Sequence, residues 1–256
     1  MKETTIIEKK KFKKLKDPLL ITGLPGIGLI GQVVGRYLVD ELKAEKIANV
    51  ISPHFPHQVF MTKKGGLRII KNSFYLYRGK TRDIVILLGD IQAMSSVGQY
   101  EVAGAILEYS KGLGVKEILS VGGYSTGKIV GEGARRVFAV STSETLRNRF
   151  KKHGVVFGEA RGSIVGAAGL IPVLGKIIDI DGTCLMGETH GSYVDAPAAK
   201  QIVQIISKYV GIKINLKKLE KRAAESQKIL KKVQEEVKKT MEAHMDDSAR
   251  NVSYIR

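Results

Sequence analysis

Gly26, Gly28 and Gly31 in "GLPGIGLIG" (residues 23–31) spell GxGxxG directly after the apolar run "LLIT". In nucleotide-binding folds this is the pattern with which a strand hands a phosphate to a helix N-terminus. A dinucleotide site also needs an Asp or Glu about 20 residues further on to hold the ribose. Here the next strand-like run ends in "ISPHFPHQ", with Ser52, Pro53 and His54 where the acid would stand. A phosphate P-loop fails as well, because no Lys-Ser or Lys-Thr pair follows the glycines. What survives is a glycine turn that opens onto a helix. Its glycines would let helix and strand backbones pack closely, and free amides at the helix N-terminus would suit an anion.

Other chemistry-bearing residues form no complete constellation. The stretch "GGYSTGKIVGEGARR" (122–136) brings Ser125, Thr126, Lys128 and Glu132 to the end of a strand, a place for a ligand or a subunit contact, but pairs no nucleophile with a base. His54 and His57 flank "FP" at i, i+3; Pro53 and Pro56 argue against a helix there, and no third zinc ligand is near in sequence. His190 lies near Glu188 and Asp195, which would serve as base and orienter only if the fold delivered Ser192 or Cys184 as nucleophile. The single cysteine excludes an internal disulfide framework. The expectation is therefore no catalytic residue, no metal, no cofactor, and a protein that is not an enzyme.

The elements that must position these residues alternate between apolar strand-like runs and helical patterns from residue 19 to about 211, the rhythm of βαβ units around a parallel-dominated sheet. Strands are predicted at 19–24, 46–52, 83–90, 117–123, 136–141 and 182–188. Helices are predicted over "LIGQVVGRYLVDELKA", "VGQYEVAGAILEYSKGLG", "SETLRNRFKKHG" and "DAPAAKQIVQIISKYVG", the last opening on Asp195 as N-cap and closing on Gly211. The segment "GGLRIIKNSFYLYRGK" reads as a β-hairpin turning at Asn72 and Ser73. Its Arg68, Lys71, Arg78 and Lys80 would guard a sheet edge.

Charge is concentrated at the ends. The formal net charge is +17, with a basic segment over residues 1–16 and a Lys-rich stretch from Lys213 to Lys239 around a mildly basic middle. Aromatic content is 6% with no Trp, and no Lys and aromatic interleaving marks a base-stacking surface, so nucleic acid is not the expected partner. No apolar run reaches the roughly 18 residues of a membrane span and the N-terminus lacks a signal-peptide core, so the expected location is the cytoplasm. After the core domain (17–211) comes a predicted amphipathic arm (212–245). Leu216, Leu219, Ala223, Leu230, Val233 and Val237 fall there on a seven-residue stripe, too thin to be stable without packing on another copy or another protein. Residues 246–256 have no such period and are expected to be a mobile tail.

The runs "LLITGLPGIGLIGQVVGRYLVDEL", "DIVILLGD" before a helix, "ILSVGGY", "GLIPVL" and "YVDAPAA" resemble the archaeal branch of the proteasome-assembly-chaperone family over residues 17–211. The resemblance implies a three-layer α/β/α core with a mostly parallel sheet, related in architecture to phosphorylases and hydrolases. It implies an ATP-independent, oligomeric chaperone or adaptor, without catalysis, that binds 20S proteasome α-subunits through C-terminal tails. The partners implied are those α-subunits and further copies of the chain, with a paralogous subunit as an alternative. The family tail motif is a hydrophobic residue, a tyrosine and any residue in the last three positions. This chain ends Val252-Ser253-Tyr254-Ile255-Arg256, so Tyr254 stands one place early and follows Ser253 in place of an apolar residue. Val252, Tyr254, Ile255 and Arg256 are the candidate docking residues, an apolar end with a terminal carboxylate suited to a basic pocket. The alternative is a nucleotide- or phosphate-binding enzyme of phosphorylase-like or ATP-grasp type that uses the two glycine-rich loops.

Overall fold

Every residue of strand β2 (Leu19–Gly23) is buried, with Leu19 and Ile21 in one hydrophobic cluster and Leu20 in another. Strand β7 (Ile84–Gly89) repeats the division: Ile84, Ile86 and Leu88 face the first cluster, Val85 and Leu87 the second. Strands apolar on both faces must be covered on both faces. In the computed structural model, which describes residues 1–10, 14–127 and 135–221, helices supply both covers. On the first face lie α1 (Ile30–Glu41), α3 (Glu144–Lys151) and α5 (Ala196–Val210), contributing Val34, Leu38, Phe150, Ile202 and Ile206. On the second lie α2 (Ser96–Gly112) and α4 (Ala167–Ile177), contributing Val102, Ile106 and Ile171. The result is a three-layer α/β/α fold.

The other strands are β1 (Thr5–Glu8), β3 (Glu45–Ile51), β4 (Val59–Met61), β5 (Leu67–Ile69), β6 (Asn72–Tyr77), β8 (Glu117–Ser125), β9 (Val137–Ser141), β10 (Val156–Phe157) and β11 (Asp181–Thr189). The main sheet among the described residues runs β1-β3-β6-β7-β2-β8-β11-β9-β10. Its centre, β7-β2-β8-β11, is parallel, as the strand and helix alternation requires. The β1, β3 and β6 flank and the β11/β9 pair are antiparallel, and β9 with β10 is parallel. Local chemistry fixes the helix starts: Ser95 accepts from Gly98 N at 3.1 Å, Ser143 from Leu146 N at 3.4 Å and Asp195 from Ala198 N at 3.0 Å. Gly211, at φ 68°, ends α5 in the left-handed conformation. No helix among the described residues is long and apolar enough to cross a membrane.

Three departures from the sequence reading have physical causes. Asn72 and Ser73 do not turn: both are buried in β6, which lies between β3 and β7 inside the sheet. The hairpin is instead β4/β5, a separate two-stranded ribbon turning through residues 62–66, where Thr62 N donates to the Gly66 carbonyl at 2.8 Å and Gly66 N donates to the Thr62 hydroxyl at 3.0 Å. Two of the four cations read as edge guards are compensated, Arg68 by Asp90 and Arg78 by Asp83 at 2.7 Å. Within the basic N-terminal segment, β1 pairs with β3, and Thr4 anchors it through its amide and hydroxyl, each 2.7 Å from Glu101 Oε1. Finally, α4 forms despite Pro172 and Gly175, because its apolar face packs on β8 and β11; a Cβ on Gly182 of β11 would lie 2.7 Å from Pro172 Cβ.

Candidate interaction surface

The glycine turn is the point where four backbone segments meet. A Cβ on Gly31, in the first turn of α1, would lie 2.6 Å from the carbonyl oxygens of both Leu24 and Val121. One on Gly23 would lie 2.6 Å from Gly35 Cα, and one on Gly123 would lie 2.4 Å from the Ile27 carbonyl oxygen. Gly28 has φ 63°, and its carbonyl accepts from Asp195 N at 3.1 Å. Two of the three fingerprint glycines, Gly28 and Gly31, thus have a backbone reason to be glycine. Gly26 is extended, with only the Gln92 side chain near it. Gln92 laces the turn to α4: its Nε2 donates to the Pro25 carbonyl at 2.5 Å, and its Oε1 accepts from Ala167 N at 2.9 Å.

Beyond this turn, at the carboxyl ends of β2 and β8, lies a cavity of about 490 Å³ floored by Thr22 and Gly122 and walled by Met186. The loop at 160–166 separates it from a second hollow of about 650 Å³ between α2 and α4. Val140, Ile164 and Val165 line both. The surface around them is apolar and open: Val165 is 89% exposed, Val173 and Ile177 project from α4, and Met94, Val97 and Tyr100 recur at i, i+3 around the start of α2. A second apolar surface is the ribbon, where Val59, Met61, Leu67 and Ile69 are all exposed. Single exposed apolar residues are ordinary, but continuous ones mark contact surfaces.

The polar candidates are committed elsewhere. Glu188, in β11, takes two hydrogen bonds from the Arg136 guanidinium, at 2.9 and 3.3 Å, and one from its amide. Those bonds hold the Glu188 carboxyl below its ordinary value. Asp195 is fully buried, caps α5, and lies 3.6 Å from the Arg135 guanidinium. Neither carboxylate orients His190, whose ring stacks on Tyr193 with centroids 5.8 Å apart. Cys184 is buried, which pushes its thiol up to about 11. His54 bonds Glu101 at 2.6 Å and not His57. Ser125 donates to the His190 carbonyl at 2.8 Å, and Thr126 N bonds the Thr189 carbonyl; Lys128 and Glu132 lie outside the described residues. Among the described residues no group of three or more His, Cys, Asp or Glu could hold a metal ion.

The Arg136 and Glu188 pair has a pH signature. A carboxyl whose folded value is depressed contributes stability above its unfolded value and loses it as pH falls through the folded one. Arg136→Gln is therefore expected to lower stability slightly at pH 7, the effect kept small because Arg136 is half exposed and screened by solvent. The gap from wild type should close as pH drops below the ordinary Glu value of 4.5. Denaturant midpoints at pH 7, 4 and 3 would show it; a pH-independent gap would assign the loss to packing of Arg136 on Phe138 instead.

Of the predicted arm, Leu216 and Leu219 belong to the chain's own core: Leu219 is fully buried with the α1 and α5 cluster, and Leu216 packs against it. The Tyr37 hydroxyl bonds the Asn215 carbonyl, Lys218 pairs with Glu41 at 2.9 Å, and Lys200 pairs with Glu220 at 3.3 Å. The rest of the predicted stripe starts at Ala223. Ala223, Leu230, Val233 and Val237, with the tail residues Val252, Tyr254, Ile255 and Arg256, lie outside the described residues.

A three-layer α/β/α core with a glycine-packed first crossover and an open apolar surface defines a class of fold also seen in solved structures. Residues 20–234 match the PAC2 family, and the chain belongs to that family. A protein of Methanocaldococcus jannaschii, itself uncharacterised, is 35% identical over 237 residues, 91% of each chain. Pyrococcus furiosus PbaB, described as an archaeal proteasome activator, is 40% identical, with a TM-score of 0.86 over 91% of this chain and 100% of PbaB. Pyrococcus furiosus PbaA, described as an archaeal homolog of proteasome-assembly chaperone, shares the fold with a TM-score of 0.75 at 23% identity, over 99% of this chain and 100% of PbaA.

Proposed function

We propose that this protein is a non-enzymatic, ATP-independent chaperone or activator of the 20S proteasome. In this reading it works as an oligomer and docks on α-subunits through its C-terminal arm and tail. The observation that carries the reading is the 40% identity to PbaB, an archaeal proteasome activator, at a TM-score of 0.86. The packing role of the glycines and the commitment of Glu188 and Asp195 to arginines and a helix cap agree with a binding protein and not an enzyme. Weak tails presented by several copies would gain affinity through effective concentration.

The test is co-elution with purified 20S proteasome in gel filtration with light scattering. Three chains are compared: full length, a variant lacking residues 252–256, and one ending at residue 221. The cut at 221 keeps Leu216 and Leu219, so the core should unfold at the same denaturant midpoint as the full chain. Co-elution of the full chain that is lost in both truncations is expected. Equal binding by all three, or no binding by the full chain, would overturn the tail mechanism.

A further inference from the structure

Thr22 is a polar residue set deep among apolar ones. It follows Leu20 by two positions on β2, so its side chain leaves the sheet on the face that α2 and α4 cover. The residue is 2% exposed, and its hydroxyl has no hydrogen-bond partner among the described residues. A hydroxyl buried in this way costs stability, and in a native fold it calls for an explanation. Its place supplies one: Thr22 floors the cavity of about 490 Å³ at the carboxyl ends of β2 and β8, a size suited to a small organic molecule. The walls include Leu24, Ile164 and Met186, and the one charged residue among the described lining is Arg161. Arg161 is exposed on the 160–166 loop and pairs with no carboxylate among the described residues. Gly26, the fingerprint glycine with no backbone reason to be glycine, also borders the cavity. A Cβ there would meet only the Gln92 side chain, at 3.8 Å.

We propose that this cavity binds a small apolar monocarboxylic acid. Its carboxylate pairs with Arg161 at the mouth, its hydrocarbon body lies against the apolar walls, and a hydroxyl or carbonyl carried at the inner end bonds Thr22. Each part of the lining narrows the occupant. A nucleotide brings several phosphate charges, and one guanidinium with apolar walls cannot compensate them. A wholly apolar molecule would leave both Thr22 and Arg161 without a partner. A peptide would carry backbone amides into walls that offer them few partners. An acid of this kind satisfies all three regions, and the net charge of +17 draws anions toward the protein. The site is separate from the C-terminal arm and tail, and it stands whether or not the chain docks on a proteasome.

The experiment is titration calorimetry on the full-length chain with four probes: decanoate, ω-hydroxydecanoate, decanol and ATP, the amphiphiles kept below their aggregation limits. Two variants are compared with wild type. Arg161→Gln changes an exposed side chain, and Thr22→Val keeps the shape of the residue while removing its hydroxyl, so both should fold. Both acids are expected to bind wild type, with decanol about tenfold weaker than decanoate and ATP giving no heat. Arg161→Gln should weaken decanoate about tenfold and leave decanol unchanged. Thr22→Val should weaken ω-hydroxydecanoate about fivefold, leave decanoate unchanged, and raise the thermal midpoint of the protein without ligand. No heat from either acid would overturn the site. Decanol equal to decanoate would reduce it to apolar partitioning, and ATP equal to decanoate would make it a general anion site; either result overturns the proposal. So would an Arg161→Gln chain that binds decanoate, or a Thr22→Val chain that binds ω-hydroxydecanoate, as tightly as wild type does.

Discussion

Replacing Gly31 with alanine is expected to cost about 3 kcal/mol, and replacing it with valine to prevent folding. The added Cβ would meet two carbonyl oxygens at 2.6 Å, one from Leu24 on its own crossover and one from Val121 on β8. Backbone oxygens in a sheet cannot swing aside as a side-chain tip can, so α1 would have to lift from the β2 and β8 ends. The control is Gly104, exposed in the middle of α2 with nothing within 4 Å of an added Cβ. There alanine should raise stability by about 0.5–1 kcal/mol, since only chain entropy and helix propensity change. Urea midpoints with unchanged slopes would report both. Matching small effects at the two positions would remove the packing account of the glycine turn and return attention to its amides as an anion site.

Asp195→Ala is expected to cost about 3 kcal/mol and Asp195→Asn about 1 kcal/mol less. Alanine removes the acceptor for Ala198 N, worth about 1 kcal/mol as a helix cap, and deprives the buried Arg135 guanidinium of its neighbouring carboxylate. Asparagine keeps the cap and loses only the charge. Because Asp195 N also binds the Gly28 carbonyl, loss of order here would reach the glycine turn. Comparable losses for the two substitutions would place the whole effect in the charge and none in the cap.

How far the sequence could be read follows from where each signal resides. The parallel centre was legible because strands such as "LLITG" and "IVILLG" are apolar on both faces, a local property. The helices with Ser or Asp caps were legible for the same reason. Helix α4 was hidden by Pro172 and two glycines, whose tolerance depends on packing against β11. Asn72 and Ser73 have turn chemistry yet lie buried in β6, because neighbouring strands on both sides outweigh local preference. In the candidate site the fingerprint glycines were visible, but the reason for Gly31 is the Val121 oxygen ninety residues away, supplied only by the fold. The apolar surface left no trace in composition: Val155 is buried and Val165 almost fully exposed, and residue type does not distinguish them.

Cys184 gives the chain a clock. It is the one thiol in 256 residues, 1% exposed, in a strand held by β8 on one side through Ser120 and by β9 on the other through Val140. Cys184 lines the hollow between α2 and α4, so an alkylating reagent reaches the sulfur when the side chains that cover it on that face move aside, and the high thiol value slows the reaction further. The labelling rate therefore counts openings of that cover in the unmodified protein, with no dye or tag to perturb it. Applied to the glycine and Asp195 substitutions, the same chemistry would show whether either loosens the helix and loop packed over the sheet.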